Sequence, residues 1–298
     1  MADGSLRSRG ILLVGCLAQA DGGAHAAGVV LGPGVLLSPD MQFYLLSFPL
    51  WLLFAVMVLG SALLTACASC LLGRYLPATG GDNALGLAIF QTVGAIFGIT
   101  LAFTISEVYT EFEAAQSNVS QESNVLGTLY RLAIELPAPQ RDELQAGLHT
   151  YAQRVVDSEW PAMAHGDHSL LARAALDRLW QVQREFQPST PPQQTLEVRL
   201  YEQVRALTEH RRNRLLDSRS QLAPLMWALL LGGGFVTVAF ALLLRSGHAR
   251  SQALMSATLA AVIGFGLLLV MALDCPFSGG MHVPPDAIAD TLALMPRL

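Results

Sequence analysis

The sequence predicts an all-α membrane protein with four transmembrane helices and a helical-bundle extramembrane domain inserted between helices 2 and 3. Hydrophobic residues make up 52% of the chain and charged residues only 14%, a balance typical of membrane proteins. Four charge-free stretches each reach the ~20 residues that a helix needs to cross the hydrocarbon core. These stretches are apolar without alternation, so their backbone must satisfy its hydrogen bonds as helix.

Residues 1–40 precede the first hydrophobic stretch and are rich in glycine and alanine. We predict a disordered leader, or a segment that the natural protein lacks, with Met41 as the natural start. The alternative is a lipid anchor at Cys16, because residues 13–16 resemble a lipoprotein signal box. The apolar run before Cys16 is shorter than the ~7 to 15 residues of a signal peptide, which argues against the anchor.

Residues 41–106 carry the first two predicted spans. The first helix is placed at Trp51–Leu72, where Cys67 and Cys70 provide small residues for helix packing. The second span is placed at Asn83–Ser106. No proline or glycine separates its last residues from the charged segment that follows, which predicts one helix running unbroken from the membrane into water.

Residues 107–220 are predicted to form the extramembrane bundle of four helices, with breaks at the proline-containing segments. The first and fourth of these helices are predicted to be extensions of membrane helices 2 and 3. Apolar residues at three- and four-residue steps mark the buried faces, and Glu122 is the one charged interruption. The predicted buried positions are Val108, Phe112, Ala115, Val119, Leu126, Leu129, Leu144, Leu148, Tyr151, Val155, Leu171, Ala175, Leu179, Val182, Phe186, Leu196, Leu200, Val204 and Leu207.

Residues 221–273 carry the third and fourth spans, and residues 274–298 are predicted to be a C-terminal tail. Four arginines precede the third span and are predicted to anchor the protein at the lipid phosphates. The alternative is an anion-collecting ring at a pore mouth. These interfacial basic residues are Arg211, Arg212, Arg214 and Arg219.

Two sets of side chains in the second span predict helix packing and a candidate pore. Small residues at four-residue spacing let helices approach closely, so this ridge is predicted to pack inside the protomer against residues 232–234. A second stripe continues from the membrane into water and predicts either ordinary core packing or, in a channel, a pore wall. The ridge is Gly94, Gly98 and Ala102, and the stripe is Phe90, Phe97, Leu101 and Thr104.

Several function classes find no support in the residue pattern. The chain has no constellation of Ser, His and Asp or of Cys and His, and no phosphate-binding loop, so we predict no enzyme and no cofactor. His165, Asp167 and His168 match no metal-binding spacing, which favours a solvated loop and no metal. The net charge of -5 and the lack of a basic patch argue against nucleic acid as a partner. Every basic residue is arginine, which indicates a GC-rich bacterial genome.

Three segments resemble a family of bacterial membrane proteins described as bestrophin-like. They are "LYRLAIELPAPQRDELQAGLHTYAQRVVDSEWPAM", "RRNRLLDSRSQLAPLMWALLLGG" and "LVMALDCPFSGG". The resemblance covers roughly residues 41–283. The role of this family is inferred from its remote similarity to bestrophins, which are pentameric anion channels. It implies four spans, a large helical segment between spans 2 and 3, and apolar residues of the second span lining a neck. No acidic run resembles the calcium clasp of animal bestrophins.

The resemblance and the residues leave two functions open. The first is a homo-oligomeric ion channel, for anions, in the inner membrane of a bacterium. The second is a non-conducting sensor or scaffold whose helical domain binds a partner. The arginines near the spans pull the topology both ways under the positive-inside rule, and the resemblance places the large helical domain in the cytoplasm.

Overall fold

The computed structural model describes residues 48–75, 84–219, 221–244 and 248–295. The predicted leader, the start at Met41 and the candidate lipid anchor at Cys16 lie outside these residues. The main helices are α1 (Leu50–Tyr75), α2 (Ala84–Ile134), α3 (Gln140–Arg154), α4 (Leu170–Glu185), α5 (Pro191–Asp217), α6 (Pro224–Leu243), α7 (Ala249–Leu273) and α8 (Asp286–Leu294). No strand occurs in the described ranges.

Helices α1, α2, α6 and α7 are long and apolar enough to cross a membrane, which confirms the four predicted spans. Helix α7 is the most enclosed of them and packs along α1. The two backbones approach so closely that a Cβ on Gly264 would lie 2.7 Å from the carbonyl oxygen of Met57. The Ser61 hydroxyl of α1 also donates to the Ala260 carbonyl at 3.2 Å. Small residues allow this approach where lipid provides no hydrophobic driving force.

Helix α2 is a single helix of 51 residues. Its first half is apolar and packs against α6 and α7, and its second half packs against α3, α5 and α8. At ~1.5 Å per residue it is about 75 Å long, well beyond the hydrocarbon thickness. The prediction of an unbroken helix that leaves the membrane is therefore confirmed.

Large side chains of α2 make its contact with the other membrane helices. Phe97 packs on α6, where a Cβ on Gly233 would lie 2.6 Å from its ring. Leu101 packs on α7, where a Cβ on Gly266 would lie 2.8 Å from the leucine side chain. Both side chains are thus enclosed by helices of their own protomer. The prediction that they line a pore is wrong, because glycines on α6 and α7 provide the space that receives them.

The small-residue ridge of α2 faces away from the other helices of the protomer. No atom lies within 4 Å of the place where a Cβ on Gly94 or Gly98 would stand, and Ala102 is exposed. The prediction that this ridge packs inside the protomer is wrong. A four-residue spacing places small residues on one side of a helix, but it does not indicate which helix, if any, packs against that side. Gly233 and Gly234 do contact α2, but through Phe97.

Replacing Gly233 with alanine is expected to destabilise the membrane helices, because the new methyl group would meet the Phe97 ring at 2.6 Å. Overpacking of this kind costs about 1 to 3 kcal/mol. Gly232→Ala is the matched control: nothing lies within 4 Å of its Cβ position, and alanine favours a helix by up to ~1 kcal/mol. Thermal denaturation in detergent measures both variants. Equal melting temperatures for the two would contradict this packing.

The aqueous half of α2 forms a helical bundle with α3, α4 and α5. The predicted apolar positions are buried or partly buried in it, except that Val108 packs in the core of the membrane helices and Leu171 is exposed. Leu171 is 55% exposed, and Ala172 and Leu176 take its place in the core. Ser169 caps α4, because its hydroxyl accepts the amide of Ala172 at 3.3 Å.

Two helix boundaries differ from the prediction. Helix α5 ends at Asp217 and α6 begins at Pro224, so α5 is not an extension of the third membrane helix. The helical segment that begins with α3 also does not break at Trp160-Pro161, one of the proline-containing segments at which a break is predicted. It passes through a π-helical turn, Val155–Glu159, into a last turn, Trp160–Met163. Proline is tolerated at the start of a helical turn because the amide that it lacks would have no partner there.

The predicted C-terminal tail contains helix α8, which packs against α2 and α3. The Ser123 hydroxyl of α2 lies 2.6 Å from the Ala287 carbonyl and 2.6 Å from the Thr291 hydroxyl. Ile288 of α8 is completely buried in the bundle core. The segment after the fourth span therefore completes the extramembrane bundle.

Candidate functional site

One face of α2 is exposed along both its apolar and its polar half, and we name it the open face. With ~100° of rotation per residue it lies opposite Phe97. Ile99 is 57% exposed and Phe103 is 73% exposed, although both lie at membrane depth. The open face consists of Thr92, Ala95, Ile99, Phe103 and Ser106 in the apolar half and Thr110, Glu113, Ser117 and Asn124 in the polar half.

The chemistry of the open face changes along the helix. Ile99 and Phe103 are its large apolar side chains, and hydroxyl groups lie on either side of them at Thr92 and Ser106. Beyond the membrane the face is mostly uncharged and polar. This sequence of groups suits a water-filled path with one apolar constriction better than uniform contact with lipid tails. The predicted pore residues Phe90 and Thr104 lie on the opposite side of α2, and the structure brings them together with Phe97.

A buried network of two glutamates and two arginines ties α2 to α3 and α5. Arg214 donates through Nε to Glu122 Oε2 at 2.6 Å and through Nη2 to Glu159 Oε2 at 2.9 Å. Arg211 donates through Nε to Glu159 Oε2 at 3.1 Å. The Tyr151 hydroxyl donates to Glu122 Oε1 at 2.7 Å. The two positive and two negative charges balance, which is what burial of charged groups requires.

The surroundings of the network hold Glu159 in its charged form. Burial alone would raise the pKa of Glu159, but Arg214 and Arg211 outweigh it and lower that pKa below its usual value. The stabilisation from Glu159 is therefore present above the ordinary pKa and is lost as pH falls. Burial, reinforced by Glu122, raises the pKa of Tyr151 well above its usual value. Arg214 also stacks over the Trp160 ring at 5.0 Å.

The four arginines predicted at the lipid interface separate into two groups. Arg214 is fully buried and Arg211 is 8% exposed, and both pair with glutamates, so neither is available to lipid phosphates. The prediction for these two residues is wrong. Arg212 and Arg219 are exposed, and Arg219 donates to the Gly166 carbonyl at 3.1 Å. Arg219 thereby holds the loop that contains His165 and His168. The described residues contain no cluster of side chains that could bind a metal ion.

The segment that follows α7, residues 274–280, joins the membrane helices to the bundle. Asp274 is buried and accepts the Leu222 amide at 2.7 Å, just before α6 begins. Phe277 packs edge-on against Trp160, with ring centroids 5.7 Å apart. The Ser278 hydroxyl donates to the Ala164 carbonyl at 2.7 Å. These contacts explain the "LDCPFSGG" sequence as a structural junction.

Replacing Asp274 with asparagine is expected to change how stability depends on pH. Burial raises the pKa of Asp274 from 3.8 to about 6, so between these values the folded protein holds a proton that the unfolded chain has released. Its contribution to stability therefore falls as pH rises from about 4 to 6. Over this range the unfolding free energy of the wild type should fall relative to that of Asp274→Asn by on the order of 3 kcal/mol. Melting curves at pH 4 to 7 measure it, and parallel pH profiles would contradict it.

Sequence reasoning missed the charge network and the junction, although the network left a signal. Arg211 and Arg214 continue the buried stripe of α5 from Leu200, Val204 and Leu207 at alternating four- and three-residue steps. Charged groups on a buried stripe demand partners of opposite charge. Glu122, on the buried stripe of α2, provides one of them.

Comparison with known families identifies the chain. The family model for the Bestrophin-like domain matches residues 55–288, which is most of the sequence. The chain belongs to the bestrophin-like family. The match extends from the first turns of α1 into α8, so it includes the open face, the charge network and the junction of this bestrophin-like protein.

Solved structures show the same fold. A bacterial bestrophin homolog from Klebsiella pneumoniae that carries a point mutation has a TM-score of 0.60 at 16% identity, covering 81% of this chain and 99% of that one. The structure of a bestrophin homolog from the same organism, solved by Zn-SAD phasing, has a TM-score of 0.59 at 15% identity, covering 80% and 96%. A third structure, described simply as a membrane protein, has a TM-score of 0.60 at 16% identity, covering 80% and 96%. No curated protein matches the sequence.

Proposed function

We propose that this bestrophin-like protein is a homo-oligomeric ion channel in the inner membrane of a bacterium, with the open face of α2 lining its conduit. The observation that carries the proposal is the exposure of Ile99 and Phe103 on a helix whose opposite face is packed. Copies of the chain arranged around an axis would bring these open faces together. The lipid bilayer surrounds the remaining membrane surface.

The constriction of the proposed conduit is formed by Ile99 and Phe103. Rings of large apolar side chains close a pore by excluding water, so a modest movement of α2 opens or closes it. These residues replace the set predicted from the sequence, Phe90, Phe97, Leu101 and Thr104, whose side of the helix packs within the protomer. The long polar half of α2 carries movements of the bundle directly to this constriction.

The extramembrane bundle is proposed to lie in the cytoplasm, and the similarity to bestrophins favours an anion as the permeant ion. The orientation is tested with single cysteines placed at Asp167 and His248 and labelled from outside intact cells. Labelling at position 248 alone supports the proposal, and labelling at position 167 alone contradicts it.

A non-conducting sensor or scaffold is the second candidate. The charge network supports this second function because it fixes the other helices of the bundle firmly to α2. A firm connection of this kind suits a bundle that binds a partner and relays a signal. A stable monomer or dimer without ion flux would support this function. A ring-shaped oligomer would support the channel.

Ion flux through liposomes tests the proposed function. The purified full chain is reconstituted, its folding is checked by size exclusion in detergent, and flux is measured after an ion gradient is applied. We expect flux above that of empty liposomes. Folded, inserted oligomer that passes neither cations nor anions would overturn the channel.

A further inference from the structure

We propose that a groove between α1, α6 and α7 binds an uncharged, membrane-dissolved molecule that carries a carbonyl group on an apolar chain. The groove has a volume of about 380 Å³, which is within the range of pockets that hold small molecules. None of the residues that line it belongs to α2. The site is therefore separate from the open face, and it does not depend on whether the protein conducts ions.

Small residues of α6 and α7 provide the space of the groove. Gly234 of α6 and Ala260 and Gly264 of α7 all line it. A Cβ on Gly234 would lie 3.2 Å from the Ile263 side chain, so α6 and α7 approach each other closely there. Three of the lining side chains are large, apolar and exposed, and they are Val56, Leu64 and Phe235. The groove is thus open towards the hydrocarbon of the bilayer, from which an apolar molecule can enter.

The hydroxyl group of Thr65 on α1 distinguishes this groove from ordinary lipid-facing surface. Thr65 lines the groove, is only 6% exposed, and makes no side-chain hydrogen bond to any described residue. Ser61, which provides the other hydroxyl of the lining, already donates to the Val58 carbonyl at 3.0 Å. A hydroxyl that is buried among apolar groups without a partner costs free energy. A ligand oxygen that accepts its proton would recover this free energy.

The threonines of the other membrane helices do not leave their hydroxyls unused in this way. Each of them donates its proton to the carbonyl four residues earlier in its own helix, at 2.8 to 3.0 Å. These residues are Thr92, Thr100, Thr104, Thr237 and Thr258. Thr65 makes no such bond to Ser61, so its proton is available to a molecule in the groove.

Depth and charge determine which class of molecule fits the groove. Helix α1 has 26 residues, and Thr65 lies about 4 Å from its midpoint at a rise of ~1.5 Å per residue. The nearest edge of a ~30 Å hydrocarbon core is then about 11 Å away, too far for the ester groups of the surrounding phospholipids to accept the Thr65 proton. The lining residues are uncharged, which disfavours a carboxylate. A ketone or quinone carbonyl on an apolar chain satisfies both conditions.

Photolabelling of the full chain in liposomes tests the proposal. The probe is an alkylbenzophenone, whose ketone oxygen can accept the Thr65 proton. Under ultraviolet light its excited carbonyl takes a hydrogen atom from a nearby C–H group, and the two carbon radicals then join. Mass spectrometry of peptides should find the label on groove residues of all three helices, such as Met57, Leu231 and Ile263. A long-chain ketone should compete with the probe, and an alkane of the same length should compete much less.

Variants of Thr65 distinguish recognition of the carbonyl from simple partition into an apolar groove. Thr65→Val removes the hydroxyl and should reduce labelling at low probe concentration by roughly threefold to tenfold, the effect of one hydrogen bond. Thr65→Ser keeps a hydroxyl and should keep most of the labelling. Thr258→Val is the matched control, because this exposed threonine does not line the groove and already bonds to the Leu254 carbonyl. Its labelling should equal that of the wild type.

Three results would overturn the site. Label spread evenly over exposed membrane residues outside the groove, such as Leu85 and Phe265, would indicate ordinary lipid contact. A groove without label would indicate that a second copy of the chain covers it. Equal labelling of the wild type and Thr65→Val would show that the hydroxyl binds no carbonyl. Oligomer size and melting temperature of each variant confirm that the comparison is between folded proteins.

Discussion

Arg214→Met is expected to lower the free energy of unfolding of the extramembrane bundle by about 3 to 5 kcal/mol, because it leaves two buried carboxylates without their shared partner. Both Glu122 and Glu159 are completely buried, so neither can recover its hydration. A loss of this size is a large fraction of the stability of a typical domain. Chemical denaturation in detergent, followed by tryptophan fluorescence, measures it.

Two further variants distinguish the buried network from surface charge. Arg212→Met removes an exposed arginine two positions earlier and should change stability by less than ~0.5 kcal/mol. Adding Glu122→Gln to Arg214→Met should restore part of the loss, since one uncompensated charge disappears. A double variant as damaging as the sum of its single changes would contradict a coupled network.

Phe97→Ala and Phe103→Ala are expected to have opposite consequences. Phe97 is 7% exposed and fills the space above two glycines of α6, so its truncation should cost about 3 to 5 kcal/mol. Phe103 is 73% exposed, so its truncation should leave the melting temperature of the protomer nearly unchanged. In the proposed channel it should widen the constriction and raise ion flux through liposomes.

The pair is informative because both residues are phenylalanines of one helix, six positions apart. If Phe97→Ala raised flux and kept its stability, the pore wall predicted from the sequence would be restored. If Phe103→Ala lost stability without a change in flux, Phe103 would be a packing residue between protomers. Measuring flux and melting temperature on the same preparation separates these results.

The approximate positions of the helices along the chain were predictable because local sequence patterns indicate them. Runs of apolar residues located the four spans, and the absence of proline between Phe90 and Val119 predicted that α2 continues into water. The three- and four-residue steps located the bundle core, including Leu144 and Leu148. Each of these features depends on local periodicity and on the medium that surrounds a helix, so no knowledge of distant contacts was needed.

The faces of α2 and the roles of the arginines were not predictable in the same way. Periodicity shows that Phe97 and Gly98 lie on different sides of a helix, but which side meets α6 depends on glycines that are distant in the sequence. The position of Arg214 shortly before the third membrane span predicts contact with lipid phosphates. Its true partner, Glu122, lies on another helix, and only the packing of α5 against α2 brings the two together.

Accessibility of single cysteines in the conducting protein tests the central claim that the open face of α2 lines the conduit. Cys16, Cys67 and Cys70 are first replaced by serine, and Cys275 is kept because it is buried. Cysteine is then introduced at Ile99 or at Leu101, two positions apart on opposite sides of the helix, and a charged thiol reagent is added during conductance recording. We predict that the reagent changes the conductance of Ile99→Cys and leaves Leu101→Cys unaffected. Modification of Leu101→Cys, with Ile99→Cys unreactive, would contradict the account.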